Sequence, residues 1–373
     1  MSATKVAPPN LVERRDKIAK LAVVRPFREC WQLLANTTAN AFRVCDSNNR
    51  NIMKKILTFG RYFKQAVGEK VRKIPLSVPG FTCPNIDGTL ARGGCIFCKN
   101  ESFSPALQNG TTPKQSFRLS PKTEHNPILP LQLEALKAQF ESQRQFHHDK
   151  FHMRKFLGYF QSFTNTYAPL PTLKALYDEI LQRKDVVGIS IGTRFDSITL
   201  EILDYLAQWV KKGKIIWVEY GVQSIHEQTL NLINRGHDSS RLQYWVREAR
   251  ARGIAICIHL IYGLPKESDA MMLQSLDEVL GIGLDGLKIH PLYVMEHTAL
   301  AAMYRAGNYE PITLERYGDL IVQSLLRIPS DVVLHRISAG IHSGDLLAPQ
   351  WCLDKNIQMR YLRERLRKAG IDY

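Results

Sequence analysis

Between residues 70 and 295 the chain alternates two hydrophobic patterns. Short runs rich in β-branched and apolar residues recur as "VRKIPLSV" (71–78), "FLGYFQSF" (156–163), "VVGISIGT" (186–193), "IIWVEYGVQS" (215–224), "IAICIHLIYG" (254–263) and "GLKIHPLYV" (286–294). Their near-continuous apolarity predicts strands covered on both faces, hence parallel pairing. Between them, "LQLEALKAQFESQ" (131–143), "TLKALYDEILQRK" (172–184) and "TLEILDYLAQWVKK" (199–212) place apolar residues at helical spacing. "RLQYWVREARARG" (241–253) and "MMLQSLDEVLGIG" (271–283) do the same, each ending on a glycine that suits a helix C-terminus. Six strands alternating with helices predict an α/β fold of βα repeats, closed or nearly closed as a partial (β/α)6 TIM-like barrel. A doubly wound open sheet is the competing architecture.

Beyond residue 295, "TALAAMYRAG" and "TLERYGDLIVQSLLRI" read as helices, "VVLHRIS" (332–338) as a strand and "IQMRYLRERLRKAG" as a basic terminal helix. Residues 296–373 are therefore expected to form a C-terminal α/β extension to a core at 53–295. Residues 1–52 carry the turn signals "APP", "NTTAN" and "DSNNRN" and are expected to be a poorly structured extension, with a short helix at 11–22. "MKKILTFGRYFKQ" reads like a protein start, which makes Met53 the expected initiator. A targeting peptide is the rival reading, opposed by Glu13, Asp16 and Glu29. Residues 104–127 lack apolar periodicity and are expected to form a mobile loop.

The 373 residues are 45% hydrophobic and 23% charged, ordinary globular composition. No apolar run is long enough to span a bilayer, and "KIAKLAVVRPFREC" is too broken by charge for a secretory core. These features predict a soluble, cytoplasmic protein with no membrane partner. The net charge of +15 is concentrated near the start, where residues 1–72 hold 15 Lys or Arg against 5 Asp or Glu. Such an arm attracts RNA or another polyanion, or simply solubilises the chain.

The densest chemistry lies in "TCPNIDGTLARGGCIFCKN" (82–100), a polar loop directly after the first strand. Cys83, Cys95 and Cys98 stand there, the last two as C-x-x-C and the first separated from them by eleven residues. Clustered thiols outside a disulfide scaffold bind metal or do chemistry. Three thiolates suit an iron–sulfur cluster with one open corner, or a zinc ion with an open position. A zinc-stabilised nucleic-acid-binding protein without catalysis is therefore the alternative function, although no second knuckle follows. Cys257, in a strand run, reads as a plain buried thiol.

Polar groups also collect at the predicted strand ends, in "QSFTNT" (161–166), "GTRFDS" (192–197), "EYGVQS" (219–224) and "HLIYGLP" (259–265). Barrel enzymes build their sites at that rim. Arg194, Asp196, Glu219 and Gln223 are candidates to orient an amino-acid moiety and a ribose. His259, His290, His335 and Arg336 are candidates to line a pocket, each read first as a structural group.

Taken together, "CPNIDGTLARGGCIFC", "YFQSFTNTYA", "GISIGTRFD", "VEYGVQSIHEQTLNLINRGHD", "HLIYGLPKES", "DGLKIHPLYV" and "LHRISA" resemble the radical S-adenosylmethionine (SAM) superfamily. Within it, the chain looks like the YhcC-type proteins, relatives of elongator-type tRNA-modifying enzymes and of oxygen-independent coproporphyrinogen oxidase. The resemblance implies a radical SAM type of barrel and a [4Fe-4S] cluster held by Cys83, Cys95 and Cys98. The familiar spacing is C-x3-C-x2-C; the longer first gap matches the YhcC-type group. The likeness further implies SAM contacts at Phe97, Gln161, Thr164, Arg194, Asp196, Glu219, Gln223, Tyr262 and Gly263. It departs from the pattern where "QSFT" replaces the common Gly-Gly-Glu and where Phe195 replaces a proline. The implied activity is reductive cleavage of SAM to a 5′-deoxyadenosyl radical, fed by a one-electron reductant such as flavodoxin or ferredoxin. The substrate is left open, with RNA or tRNA modification suggested by the relatives.

Overall fold

The computed structural model describes residues 53–99, 117–338, 341 and 344–373. The expected helix at 11–22 and the first part of the 104–127 loop lie outside the described residues. The end of that loop is packed: Leu119 is buried and its N–H donates to the Gly80 carbonyl at 2.8 Å.

The chain runs β1 (Lys54–Lys55), α1 (Phe59–Val67), β2 (Val71–Leu76), α2 (Leu129–Phe151), β3 (Lys155–Phe160), α3 (Leu170–Leu181) and β4 (Val186–Thr193). It continues with α4 (Leu200–Lys211), β5 (Ile215–Gln223), α5 (Glu227–Leu232), α6 (Leu242–Arg250), β6 (Ala255–Tyr262), α7 (Asp269–Ile282), β7 (Gly286–Pro291) and β8 (Val294–Met295). Last come α8 (Ala299–Arg305), α9 (Leu314–Arg327), β9 (Val333–Arg336), β10 (Leu346–Ala348), α10 (Lys355–Lys368) and β11 (Ile371–Asp372). Side-chain caps start several helices: Thr199 accepts from the Ile202 N–H and Ser268 from the Met271 N–H. Gly283 closes α7 in the left-handed region, as expected, whereas α6 stops at Arg250, ahead of Gly253. Helix α2 outruns its apolar stripe by about two turns, since no glycine or proline interrupts "RQFHHDKF".

The main sheet has seven parallel strands in the order β2-β3-β4-β5-β6-β7-β9. The order never reverses, so the doubly wound alternative is replaced by a curled half-barrel. The expected count of six strands falls one short. The Val333–Arg336 strand, assigned from sequence to the extension, pairs with β7 and lengthens the same sheet. It does so because Asp285, one residue before β7, accepts the Val333 N–H at 2.9 Å.

Strand side chains alternate between two faces. The outward set, with the helices, forms the main apolar core, including Ile189, Ile191, Val218, Tyr220, Ile258 and Leu260. The inward set is layered. At the N-terminal end, Leu157, Trp217, Cys257 and Val333 pack with Phe63 of α1, which stoppers the barrel. Burying each such large apolar side chain stabilises the fold by roughly 1.5–3 kcal/mol. Cys257 is the buried thiol that the sequence suggests. The next layer up is charged, and above it lies a cavity.

Candidate active site

Cys83 follows β2, and the eleven-residue gap after it folds back on itself. The Ile86 and Asp87 N–H groups donate to the Cys83 carbonyl, Asp87 bridges Arg92, and the Gly94 N–H donates to the Asn85 carbonyl at 2.9 Å. Gly88, Gly93 and Gly94 all take positive φ there. The insertion is thus a closed hairpin whose ends return Cys95 to the neighbourhood of Cys83. The Cys98 N–H then donates to the Cys95 carbonyl at 2.9 Å. All three cysteines line one cavity of about 270 Å³ at the C-terminal mouth of the barrel.

The segment after α5 braces this loop. Asn234 donates its side-chain amide to the Gly94 carbonyl at 2.8 Å and to the Arg92 carbonyl at 3.1 Å. The Asn85 amide donates to the Asn234 carbonyl and, at 3.7 Å, to Cys95 Sγ. Arg235 Nη1 also reaches Cys95 Sγ at 3.7 Å. Sequence reading included "NRGHD" in the resemblance without assigning Asn85, Asn234 or Arg235 a role; polar residues in a loop carry no local signal of what they will brace.

Of the other candidates, Phe97, Gln161, Thr164, Arg194, Glu219 and Gln223 line the cavity with the cysteines. Arg194 is 2% exposed, and it pairs through Nε and Nη2 with Asp196 at 2.8 and 2.6 Å. Its Nη1 and Gln223 Oε1 are buried with no hydrogen-bond partner among the described residues. Asp196 stands behind Arg194, outside the cavity lining. Burial opposes its ionisation, but the bonds from Arg194 outweigh this and hold the carboxyl below its ordinary value. A Cβ at Gly221 would meet Gln223 Nε2 at 2.8 Å, so that wall is kept bare of side chain.

Tyr262 and Gly263 do not line the cavity, contrary to expectation. Strand parity gives the reason: His259 and Ile261 of β6 face inward, so Leu260 and Tyr262 face the helices. The Tyr262 hydroxyl lies 2.8 Å from Ser324 Oγ of α9. Gly263 donates its N–H to Met272 Sδ and accepts from the Tyr309 hydroxyl at 2.8 Å.

Glu219 lines the cavity but has no free oxygen for a ligand. Oε1 accepts from Lys73 Nζ at 2.8 Å and from Ser190, while Oε2 accepts from Lys288 Nζ and lies 2.9 Å from His259 Nε2. Its carboxylate is fully buried. Burial would raise its pKa, but Lys288 and Lys73, with bonds from His259 and His335, hold it well below the ordinary carboxylate range. Lys288 Nζ also reaches the Tyr159 hydroxyl at 3.0 Å. His259, His290 and Arg336 do face the cavity, whereas His335 lies below, edge-on to Trp217.

Two family models match the chain. The radical SAM superfamily model covers residues 91–279, and the radical SAM C-terminal domain model covers 284–368. The chain belongs to the radical SAM superfamily. Members of that superfamily are enzymes that typically use a [4Fe-4S] cluster and SAM. Protein YhcC of Escherichia coli is 35% identical to this radical SAM protein over 320 residues, 86% of this chain and 95% of that one. Elongator complex protein 3 of Schizosaccharomyces pombe is 28% identical over 193 residues, 48% of this chain and 35% of that one. Among solved structures, Elp3 of the archaeon Methanocaldococcus infernus shares the fold with a TM-score of 0.55 at 20% identity, over 81% of this chain and 64% of that one.

The donor set suits a cluster. The three thiols line a shared wall, no fourth cysteine among the described residues lines the cavity, and N–H donors address Cys95 Sγ. Among the described residues, no group of three or more His, Cys, Asp or Glu converges tightly enough to hold a single metal ion. Nothing there supports the zinc alternative. Among the described residues, no helix is long and apolar enough to cross a membrane.

Proposed function

We propose that this protein is a radical SAM enzyme in which Cys83, Cys95 and Cys98 hold a [4Fe-4S] cluster and the cavity beside them takes SAM. The observation that carries this reading is the hairpin at 84–94, which brings three cysteines, and no fourth among the described residues, to the wall of one cavity. The cluster, when bound and reduced, supplies the electron that cleaves SAM to a 5′-deoxyadenosyl radical, which abstracts hydrogen from a substrate carbon.

The chain's own residues bind and orient. Arg194 offers its unpartnered Nη1 to the SAM carboxylate or ribose, and Asp196 keeps the guanidinium in place. Gln223 offers an unsatisfied carbonyl oxygen to the SAM amine or ribose hydroxyls. Gln161 and Thr164 stand on the wall beside the cysteines, and Phe97 gives a face for the adenine. Burial of the charged layer around Glu219 seals the barrel below, so solvent is kept from the reacting carbon. Kinship with Elongator complex protein 3, together with the +15 charge, supports RNA as a partner.

Anaerobic reconstitution tests the reading. The expected outcome is about four iron and four sulfide per chain, with 5′-deoxyadenosine released from SAM by dithionite, and neither in Cys98→Ala. A preparation that takes up no iron or sulfide, or that leaves SAM intact, overturns it.

A further inference from the structure

The floor of the cavity carries positive charge that the protein does not neutralise. Lys73 and Lys288 share one carboxylate, Glu219. Arg336 lines the same cavity from β9, yet makes no hydrogen bond or ion pair among the described residues, and its Nε is buried without a partner. Among the described residues no other floor group supplies an anion. Burial pushes the Tyr159 hydroxyl and the Cys257 thiol up, so both stay neutral. His259 and His290 are lowered to about 4 and about 3, chiefly by burial, and stay neutral too. Even with one lysine deprotonated, the Arg336 guanidinium remains unmatched. Arg336 is half-buried with its Nε shut off from solvent, and a cation left without a partner at such a partly desolvated site favours a ligand of opposite charge.

Resting on the function proposed above, we propose that its substrate carries a compact terminal oxyanion, a carboxylate or a phosphate monoester, that docks on Arg336 at the cavity floor. A guanidinium presents paired N–H donors that match such a group in bidentate fashion. The position also suits the chemistry. Arg336 and His290 come from β9 and β7, late in the barrel, while the cysteines follow β2 at its start. An anion held on Arg336 places the neighbouring carbons of the substrate between the floor and the SAM subsite. A neutral nucleobase inserted from RNA would leave the charge unmatched, and a phosphodiester has no terminal oxyanion to send down. The group that enters is thus the acid end of a small molecule, or of an acidic side group on a larger one.

The test is calorimetric titration of the reconstituted, SAM-saturated full chain with inorganic phosphate, with succinate and with neutral succinamide. Saturable binding of phosphate or succinate, but not succinamide, is expected. Arg336→Gln should weaken it at least about tenfold and Arg336→Lys by less, with iron content and SAM affinity unchanged in both. The better of the two anions identifies the group. The inference is overturned if neither anion binds, or if Arg336→Gln binds them as the unaltered chain does. Iron uptake and SAM cleavage, measured on the same preparations, report separately on the function that it rests on.

Discussion

Glu219 of β5 and Lys73 of β2 meet across the barrel interior, with Nζ 2.8 Å from Oε1 although 146 residues separate them. Lys288 reaches the other oxygen from β7. A single buried carboxylate therefore ties three strands through the charged layer under the cavity. Removing one partner from such a buried set leaves the rest uncompensated, at a cost of about 3–5 kcal/mol. Glu219→Gln should lower unfolding stability by about that amount in urea titrations. A change under about 1 kcal/mol would show that the lysines find other partners.

The histidines around this layer make the fold sensitive to mild acid. His259 is lowered from 6.5 to about 4 by burial and by Lys288, and His335 to about 3 by burial and by Lys73. His290 is lowered to about 3 by burial and by Arg336. Between about pH 6.5 and pH 4 the unfolded chain binds protons that the folded chain does not. Stability should therefore fall with pH in that window, by about 1.4 kcal/mol per pH unit for each of the three histidines. Urea midpoints measured from pH 7 to pH 4.5 check the slope. His259→Gln should make it shallower by about one proton's worth.

The brace between the cysteine hairpin and the segment after α5 depends on a glycine. Gly236 has φ +73°, and a Cβ there would meet Asn85 Oδ1 at 2.4 Å. Gly236→Ala adds about 1–2 kcal/mol of backbone strain and pushes Asn85 away from Cys95. The expected result is a folded protein that takes up less iron and sulfide on reconstitution. Asn85→Ala should show the same loss without the strain. Full uptake in both variants would show that the hairpin holds its cysteines unaided.

Much of this was legible in the sequence because it is periodic. Apolar runs such as "VVGISIGT" and "IAICIHLIYG" became β4 and β6 within a residue or two of the expected bounds. The three cysteines announced themselves by residue type and lie on one cavity. What stayed hidden depends on contacts between distant segments. Lys73 and Lys288 interrupt apolar strands, a visible signal, but their shared partner Glu219 is a tertiary fact. The seventh strand is legible as a strand but not as a member of the sheet, because pairing with β7 leaves no mark in "VVLHRIS". The motif points Tyr262 at SAM, while strand parity turns it to the helices.

That last difference gives a direct comparison. The Tyr262 hydroxyl serves Ser324 in the outer core, whereas Arg194 lines the cavity and keeps one nitrogen without a partner among the described residues. Tyr262→Phe should therefore cost about 1 kcal/mol of stability, the worth of one buried hydrogen bond, and leave SAM affinity unchanged. Arg194→Gln should weaken SAM binding at least about tenfold, since it removes a charged donor from the cavity wall and its pair with Asp196. Equilibrium binding of SAM to the two reconstituted variants decides between strand parity and motif position. Loss of affinity in Tyr262→Phe with none in Arg194→Gln would place the SAM subsite on the β6 end of the mouth instead of the β4 wall.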